Sequence, residues 1–284
     1  YSCVYCQLGP TTRKGSQRES FFPKEEILEE IEDSLQDKTI DYVTFVGDGE
    51  PTLSSDLGSL IETCKTRYDV PVAVITNGSL LSGAAVRHDL GPADVVMPSL
   101  DAGNAETFHR INRPHRDISF QDVIEGMKQF RSEYEGQIWL EVMLVEGVND
   151  SEANLRAIKS KLTVIKPDRV YVMIPIRPPC VKWVKPPSVR AVLRAQEVLG
   201  EVTPVLDPES GRFGVGSYAG AEQAILEISS RHPLRAAQGA EIERTFNSPG
   251  TIEHMVQEGL LRLVDFNGER FLMPRALVKT TGHK

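Results

Sequence analysis

The sequence lacks several features, and each absence excludes a class of protein. No run approaches the roughly 18 apolar residues of a membrane span, and the first ten residues lack the basic start and apolar stretch of a signal peptide. The formal net charge is −8, which argues against a polyanion-binding surface because phosphate neutralisation needs clustered Lys and Arg. There are only four cysteines, and two of them, Cys3 and Cys6, have a metal or redox spacing rather than that of a structural disulfide. We therefore expect a cytoplasmic protein in a reducing compartment.

What is present is an ordinary globular composition, with 40% apolar and 25% charged residues. Amphipathic helical segments alternate with short β-branched apolar runs from about residue 22 to 199. The strands are predicted at 40–46, 70–75, 94–97, 138–145 and 169–174. The helices are predicted at 24–36, 56–67, 81–90, 120–134, 152–165 and 189–199. This alternation predicts an α/β fold with a parallel sheet, either doubly wound or a full or partial (β/α) barrel.

The beginning of the chain departs from that alternation. A loop containing Cys3 and Cys6 leads towards the first helix, and no strand precedes it. A regular β–loop–α series would place a strand there. We therefore expect the first strand to lie upstream of the given sequence.

After about residue 213 the pattern changes to three helical segments, near 219–230, 239–246 and 249–258, followed by two short strands around Asn267-Gly268. Asn-Gly between apolar runs is a type I′ hairpin signal. The sequence thus predicts a core domain at 1–212 and a small winged-helix-like domain at 213–284. The third helix carries Glu253 and Glu258 and no Lys or Arg, so DNA is not the expected partner. Substrate presentation, protein contact or a lid is expected instead.

The Cys3-Val-Tyr-Cys6 motif alone permits three interpretations: half of a zinc site, a redox pair, or part of an iron–sulfur site. Zinc usually takes four ligands, and the remaining cysteines are isolated in sequence. A redox pair normally belongs to a compact unit much shorter than this chain.

Polar turns follow three of the predicted strands, at the carboxyl edge where α/β proteins bind ligands. Glycine in such turns lets the backbone approach a ligand closely. The candidate binding residues of these turns are Gly47, Gly49, Glu50, Asn77, Ser99 and Asp101. Ordinary strand-to-helix turns and helix caps, including caps by Asn77 and Asp101, remain the alternative.

Together these segments resemble the radical S-adenosylmethionine (SAM) enzymes over roughly residues 1–200. Cys3 and Cys6 match the last two cysteines of the CxxxCxxC signature, whose first cysteine would lie two positions before Tyr1. The turns match the family's GGEP-like, TNG and SLDA-type segments, with Asp48 in place of the middle glycine. The group that the chain resembles most is one of iron–sulfur oxidoreductases distantly related to the wyosine synthases.

The resemblance implies a partial (β/α)6 barrel, a [4Fe–4S] cluster ligated by Cys3 and Cys6, and SAM as second cofactor. It implies SAM contacts from the six turn residues, reduction by an external flavodoxin- or ferredoxin-like donor, and hydrogen abstraction from an unknown substrate by a 5′-deoxyadenosyl radical. Two other hypotheses stay open. One is a non-catalytic, zinc-dependent winged-helix regulator, and the other is a barrel enzyme that acts without SAM.

Further polar residues lie near the predicted active edge. Glu141 interrupts an apolar strand and has either a ligand or solvent as its partner. Asn149-Asp150 is interpreted as a helix cap, Cys64 as packing, and Cys180 as an inert thiol. A basic group could hold an anionic part of the substrate. It comprises His109, Arg110, Arg113, His115, Arg116 and Arg177.

Overall fold

The computed structural model describes residues 1–11, 14–35, 40–205, 213–216 and 218–275. These residues form two compact units. The first comprises Tyr1, Thr12–Met173 and Pro187–Val205, and the second comprises Ser2–Thr11, Ile174–Pro186 and Leu206–Lys284.

The first unit is built on a parallel sheet in which each strand pairs with the next one along the chain. Its strands are β1 (Val43–Phe45), β2 (Val72–Thr76), β3 (Val95–Pro98), β4 (Gln137–Met143), β5 (Arg169–Met173) and β6 (Thr203–Val205). Its helices are α1 (Lys24–Leu35), α2 (Leu57–Tyr68), α3 (Ala84–Leu90), α4 (Ala105–Ile111), α5 (Phe120–Glu133), α6 (Glu152–Ile165) and α7 (Val189–Leu199). Sequential parallel order is the topology of a β/α barrel.

The sheet is strongly curved. In β4 the side chains of Ile138, Leu140 and Val142 are buried, whereas those of the alternating residues are partly exposed on the other face. On that second face the rings of Tyr42 and Trp139 lie 6.2 Å apart. A flat sheet would separate β1 from β4 by about 14 Å, so this face is concave. Within the described residues β1 and β6 do not pair with each other, so they are the two edge strands of this sheet.

The predicted α/β fold is confirmed, with most elements within three residues of their expected bounds. Two elements of the first unit were not predicted. Strand β6 has only three residues and contains a proline, which weakens its strand signal. Helix α4 has only seven residues and follows a polar turn. The expectation of five strands in this part of the chain was therefore wrong by one.

The second unit contains α8 (Ala221–Arg231), β7 (Leu234–Arg235), α9 (Ala236–Thr245), α10 (Thr251–Gln257), β8 (Leu261–Phe266) and β9 (Glu269–Pro274). The strands form an antiparallel sheet in the order β7-β9-β8. Its core includes the fully buried side chains of Ile225, Leu234 and Met255. Asn267 and Gly268 both have positive φ, 50° and 80°, which confirms the type I′ hairpin. The predicted domain boundary after residue 212 lies outside the described residues and stays a prediction.

No helix in the described part of the chain combines the length and apolar character that crossing a bilayer requires.

Candidate functional site

The carboxylate of Glu50 joins the turns that follow β1 and β2. Its Oε1 accepts hydrogen bonds from the backbone N–H (3.1 Å) and hydroxyl (2.7 Å) of Thr52 and from the hydroxyl of Thr76 (2.5 Å). Its Oε2 accepts from the backbone N–H of Asn77 at 2.7 Å. A carboxylate with four donors is held firmly in one position. Glu50 therefore sets the relative placement of two of the predicted ligand-binding turns.

The two glycines before Glu50 are exposed, and the structure gives no packing reason for them. A Cβ added at Gly49 would meet nothing within 4 Å, and one at Gly47 would make only ordinary contact at 3.5 Å. Neither residue has a positive φ. Neither the backbone conformation nor the neighbouring atoms require glycine at these positions. Without side chains, the backbone of this turn is open to close approach by a ligand.

Asn77 stabilises its own turn rather than a helix. Its Oδ1 accepts a hydrogen bond from the N–H of Ser79 at 2.8 Å, the pattern of an Asx turn. The following helix begins seven residues later, with Gly83 as its N-cap. The interpretation of Asn77 as a helix cap was therefore wrong. Its predicted contact with SAM stays a prediction.

Asp101 is 2% exposed and links the turn after β3 to β4. Its Oδ1 accepts from the N–H of Met143 (2.8 Å), and its Oδ2 accepts from the side-chain amide of Asn112 (2.6 Å). The cap of α4 is Asn104, whose Oδ1 accepts from the N–H of Thr107. The alternative of simple capping by Asp101 was therefore wrong, and its predicted SAM contact remains untested.

Asn149 is fully buried and braces the same turn. Its side-chain amide donates to the carbonyl oxygens of Asp101 (2.8 Å) and Met143 (2.7 Å), and its Oδ1 accepts from the N–H of Val145 (2.8 Å). Ser151, not Asn149 or Asp150, is the N-cap of α6. The helix-cap interpretation was wrong because the tertiary fold brings three backbone groups to this amide.

Glu141 lies on the concave face, next to the turn after β3. Ser99 pairs with Glu141 in an isolated parallel bridge, and the N–H of Leu100 donates to the carbonyl oxygen of Glu141 at 2.8 Å. The Ser99 N–H also donates to the Thr76 carbonyl at 3.1 Å. Burial, with a smaller contribution from the nearby Asp101 carboxylate, raises the pKa of Glu141 to about 7. Backbone hydrogen bonds of Ser99 and Leu100 therefore link the segment after β3 to both β2 and β4.

We expect Glu141→Gln to stabilise the protein at pH 8 and to have little effect at pH 4. The folded-state pKa, about 7, lies above the unfolded value, about 4.5, so the wild type loses stability as the pH rises through that interval. The full difference corresponds to about 3 kcal/mol. Glutamine has no such titration. The measurement is the free energy of unfolding in urea at both pH values.

The exposed Glu146, in the loop after the same strand, is the matched control. Glu146→Gln should leave the dependence of unfolding free energy on pH as in the wild type. Equal stabilisation by Glu141→Gln at both pH values would contradict the assignment, because it would show a packing effect rather than removal of a titrating group.

The second unit contains the cysteine loop, Ser2–Thr11. Its CxxC motif forms a turn in which the N–H of Cys6 donates to the carbonyl of Cys3 at 3.1 Å, and both thiols are partly exposed. Two accessible thiols in one turn fit two ligands of a metal cluster. In the described part of the chain, no group of three or more Cys, His, Asp or Glu side chains is arranged to hold a metal ion. Cys3 and Cys6 are therefore the residues of this loop that fit a cluster.

The members of the predicted basic group are divided between the two units. Arg177 is 6% exposed and belongs to the second unit. The other members lie in the first unit, where Arg110, Arg113 and Arg116 are exposed, and Asp117 contacts both His115 (3.3 Å) and Arg116 (3.6 Å). The first-unit residues therefore form a solvated surface with partly compensated charge.

Sequence analysis missed the residues that only support the site. Thr76 holds Glu50, and Asn112 holds Asp101. Thr76 is adjacent in sequence to the predicted Asn77, which gives only a weak indication that it belongs to the site. Glu50 and Asp101 each follow a strand by a few residues, but their partners lie 26 and 11 residues further along the chain. Partners at such separations cannot be identified without the fold.

The chain is similar to proteins of a known family. The family model described as "Radical SAM superfamily" matches residues 1–156. A UPF0026 protein from Methanocaldococcus jannaschii is 34% identical over 282 residues, covering 96% of this chain and 87% of the relative.

Two solved structures share the fold. A radical SAM methyltransferase from Sphaerobacter thermophilus has a TM-score of 0.57 at 18% identity, covering 74% of this chain and 63% of that one. SuiB from Streptococcus suis, solved with S-adenosylmethionine bound, has a TM-score of 0.55 at 16% identity, covering 77% and 49%. At such identities the likeness concerns the fold alone, and the chain spans less than two thirds of either structure.

Proposed function

Because the chain belongs to the radical SAM superfamily, whose enzymes use a [4Fe–4S] cluster and SAM, we propose that it cleaves SAM reductively. When bound, the cluster would supply the electron for this cleavage, which would release methionine and leave a 5′-deoxyadenosyl radical that could take a hydrogen atom from a substrate still unidentified. The observation that carries the proposal is the CxxC turn with two accessible thiols, in a chain with the family's fold.

In this proposal the residues of the chain bind and orient. Cys3 and Cys6 ligate two irons of the cluster. The open backbone of Gly47 and Gly49 approaches SAM, and Glu50 keeps that turn in register with the turn containing Asn77. The contribution of the protein is to position the reactants and to exclude water from them.

Two side chains at the concave carboxyl edge complete the proposed site. Ser99, which pairs with Glu141 in a parallel bridge, offers a short hydroxyl two residues before the buried Asp101. Glu141, with a pKa of about 7, holds a proton near neutral pH and can donate it to, or accept it from, a group bound on this face.

We also propose a role for the C-terminal elements. We propose that they form a winged-helix-like module, and their order, α8-β7-α9-α10-β8-β9, supports this. Helix α10 carries Glu253 and neither Lys nor Arg, which supports a role other than DNA binding. An external flavodoxin- or ferredoxin-like donor, a substrate with an anionic group and a cytoplasmic location complete the proposal.

The test uses the full-length gene product. The protein is reconstituted anaerobically with iron and sulfide, reduced with dithionite and mixed with SAM, and 5′-deoxyadenosine is measured by chromatography. We expect a brown protein that forms 5′-deoxyadenosine. A colourless protein with stoichiometric zinc and no product would contradict the proposal and support the zinc-dependent regulator.

A further inference from the structure

The cysteine loop is held in place by the segment that follows β5, Ile174–Pro186. Both belong to the second unit. The N–H of Cys180 donates to the carbonyl of Cys6 at 2.8 Å. The Cys180 thiol lies 3.4 Å from the carbonyl oxygen of Cys3 and 3.5 Å from that of the next residue. Cys180 therefore contacts the backbone of the CxxC turn from both ends.

A second set of contacts ties the residue after Cys6 to the end of α8. Nη1 of Arg177 donates to Oε1 of Gln7 at 3.2 Å and lies 3.1 Å from Nδ1 of His232. Nε2 of Gln7 donates to the carbonyl of Arg231 at 3.3 Å and also lies 3.3 Å from Nδ1 of His232.

The chemistry of these groups determines which of them donate and which accept hydrogen bonds in this network. An arginine can only donate, so the Gln7 atom facing it is the oxygen and the other atom is the amide nitrogen. The imidazole Nδ1 then faces two donors and must accept. His232 therefore carries its proton on Nε2, and its Nδ1 is the acceptor at which Gln7 and Arg177 meet.

We infer that His232 is a positioning residue for the cysteine ligands and that the C-terminal module, residues 213–275, holds the cluster-binding loop in place. The inference rests on the proposed function, since it assigns a metal-holding role to that loop. The loop contains no helix or strand of its own, so its conformation depends on contacts with other segments. Groups that orient metal ligands in this way affect metal retention without touching the metal.

The first test needs no metal. Alkylation of each cysteine by iodoacetamide is followed by mass spectrometry. We expect His232→Ala to raise the rates at Cys3 and Cys6 about tenfold, because two donors lose their acceptor and the loop opens more often. The fully buried Cys64 is the internal reference for global unfolding, and its rate should not change.

Two variants separate positioning from a general effect. His232→Asn places an amide oxygen where Nδ1 stood, so it should restore wild-type rates. His254→Ala removes an exposed histidine from α10 of the same module and should have no effect. The inference is overturned if His232→Ala reacts like the wild type, if Cys64 accelerates equally, or if His232→Asn does not restore protection.

The second test uses the reconstituted full-length gene product and measures iron release to a chelator. We expect release from His232→Ala to be about tenfold faster than from the wild type. Unchanged release would overturn the inference. If the wild type takes up no cluster while His232→Ala still exposes Cys3 and Cys6, the proposed function fails, but the positioning of the loop by His232 stands.

Discussion

Replacing Cys3 or Cys6 by serine in the full-length protein is expected to reduce bound iron to background and 5′-deoxyadenosine formation by more than about 100-fold. A thiolate is the ligand that such a cluster requires, and a serine hydroxyl does not replace it at neutral pH. The two cysteines share one turn, so replacing either one removes one of the two ligands that this turn would supply. Iron and sulfide analysis and product chromatography measure the two effects.

Cys64→Ala is the control for this experiment. Cys64 is fully buried in α2, and burial raises the pKa of its thiol, so it is neither reactive nor available as a ligand. The variant should keep both iron and activity. Retention of a full cluster by Cys3→Ser or Cys6→Ser would exclude these residues as ligands and would leave the proposed function without its main support.

Glu50→Ala is expected to lower the free energy of unfolding by about 4 kcal/mol and to weaken SAM binding at least tenfold. Four hydrogen bonds end on this carboxylate, and its loss leaves the N–H of Asn77 and the hydroxyl of Thr76 without their acceptor. The turns after β1 and β2 would then lose their fixed spacing. Urea unfolding and equilibrium dialysis with labelled SAM measure the two quantities.

Asp48→Ala is the matched control, since Asp48 is an exposed carboxylate in the same turn and makes no hydrogen bond to any residue that the structure describes. It should change neither quantity appreciably. A Glu50→Ala protein that keeps wild-type stability but loses SAM affinity would show that Glu50 binds SAM directly and does not act through the turns.

Most of the fold could be predicted because the signals are local. Helix α6, residues 152–165, has the bounds that its apolar periodicity predicts, and the Asn267-Gly268 turn forms the hairpin that its positive φ angles require. The elements that escaped prediction, β6, β7 and α4, are short ones, in which two to seven residues carry too little pattern.

The roles of polar residues within the turns were harder to predict. Asn77, Asp101 and Asn149 each stand where a helix cap would be expected, and none of them caps a helix. Asn, Asp and Ser favour caps and turns alike, because their short side chains bond to nearby backbone in either case. A sequence therefore indicates that such a side chain forms a hydrogen bond with the backbone, but it does not identify the residue whose backbone group is the partner.

The amino-acid sequence by itself determined the order of most strands and helices, the CxxC turn and the polar turns after three of the strands. These features depend on contacts between residues a few positions apart. Only the tertiary structure decided that Glu50 meets Asn77, that Asp101 meets Met143 and that Gln7 meets His232. These partners are 27, 42 and 225 residues apart. The folding of the whole chain brings them within hydrogen-bonding distance. The periodicity of apolar residues along the sequence reports only local structure and does not identify such distant partners.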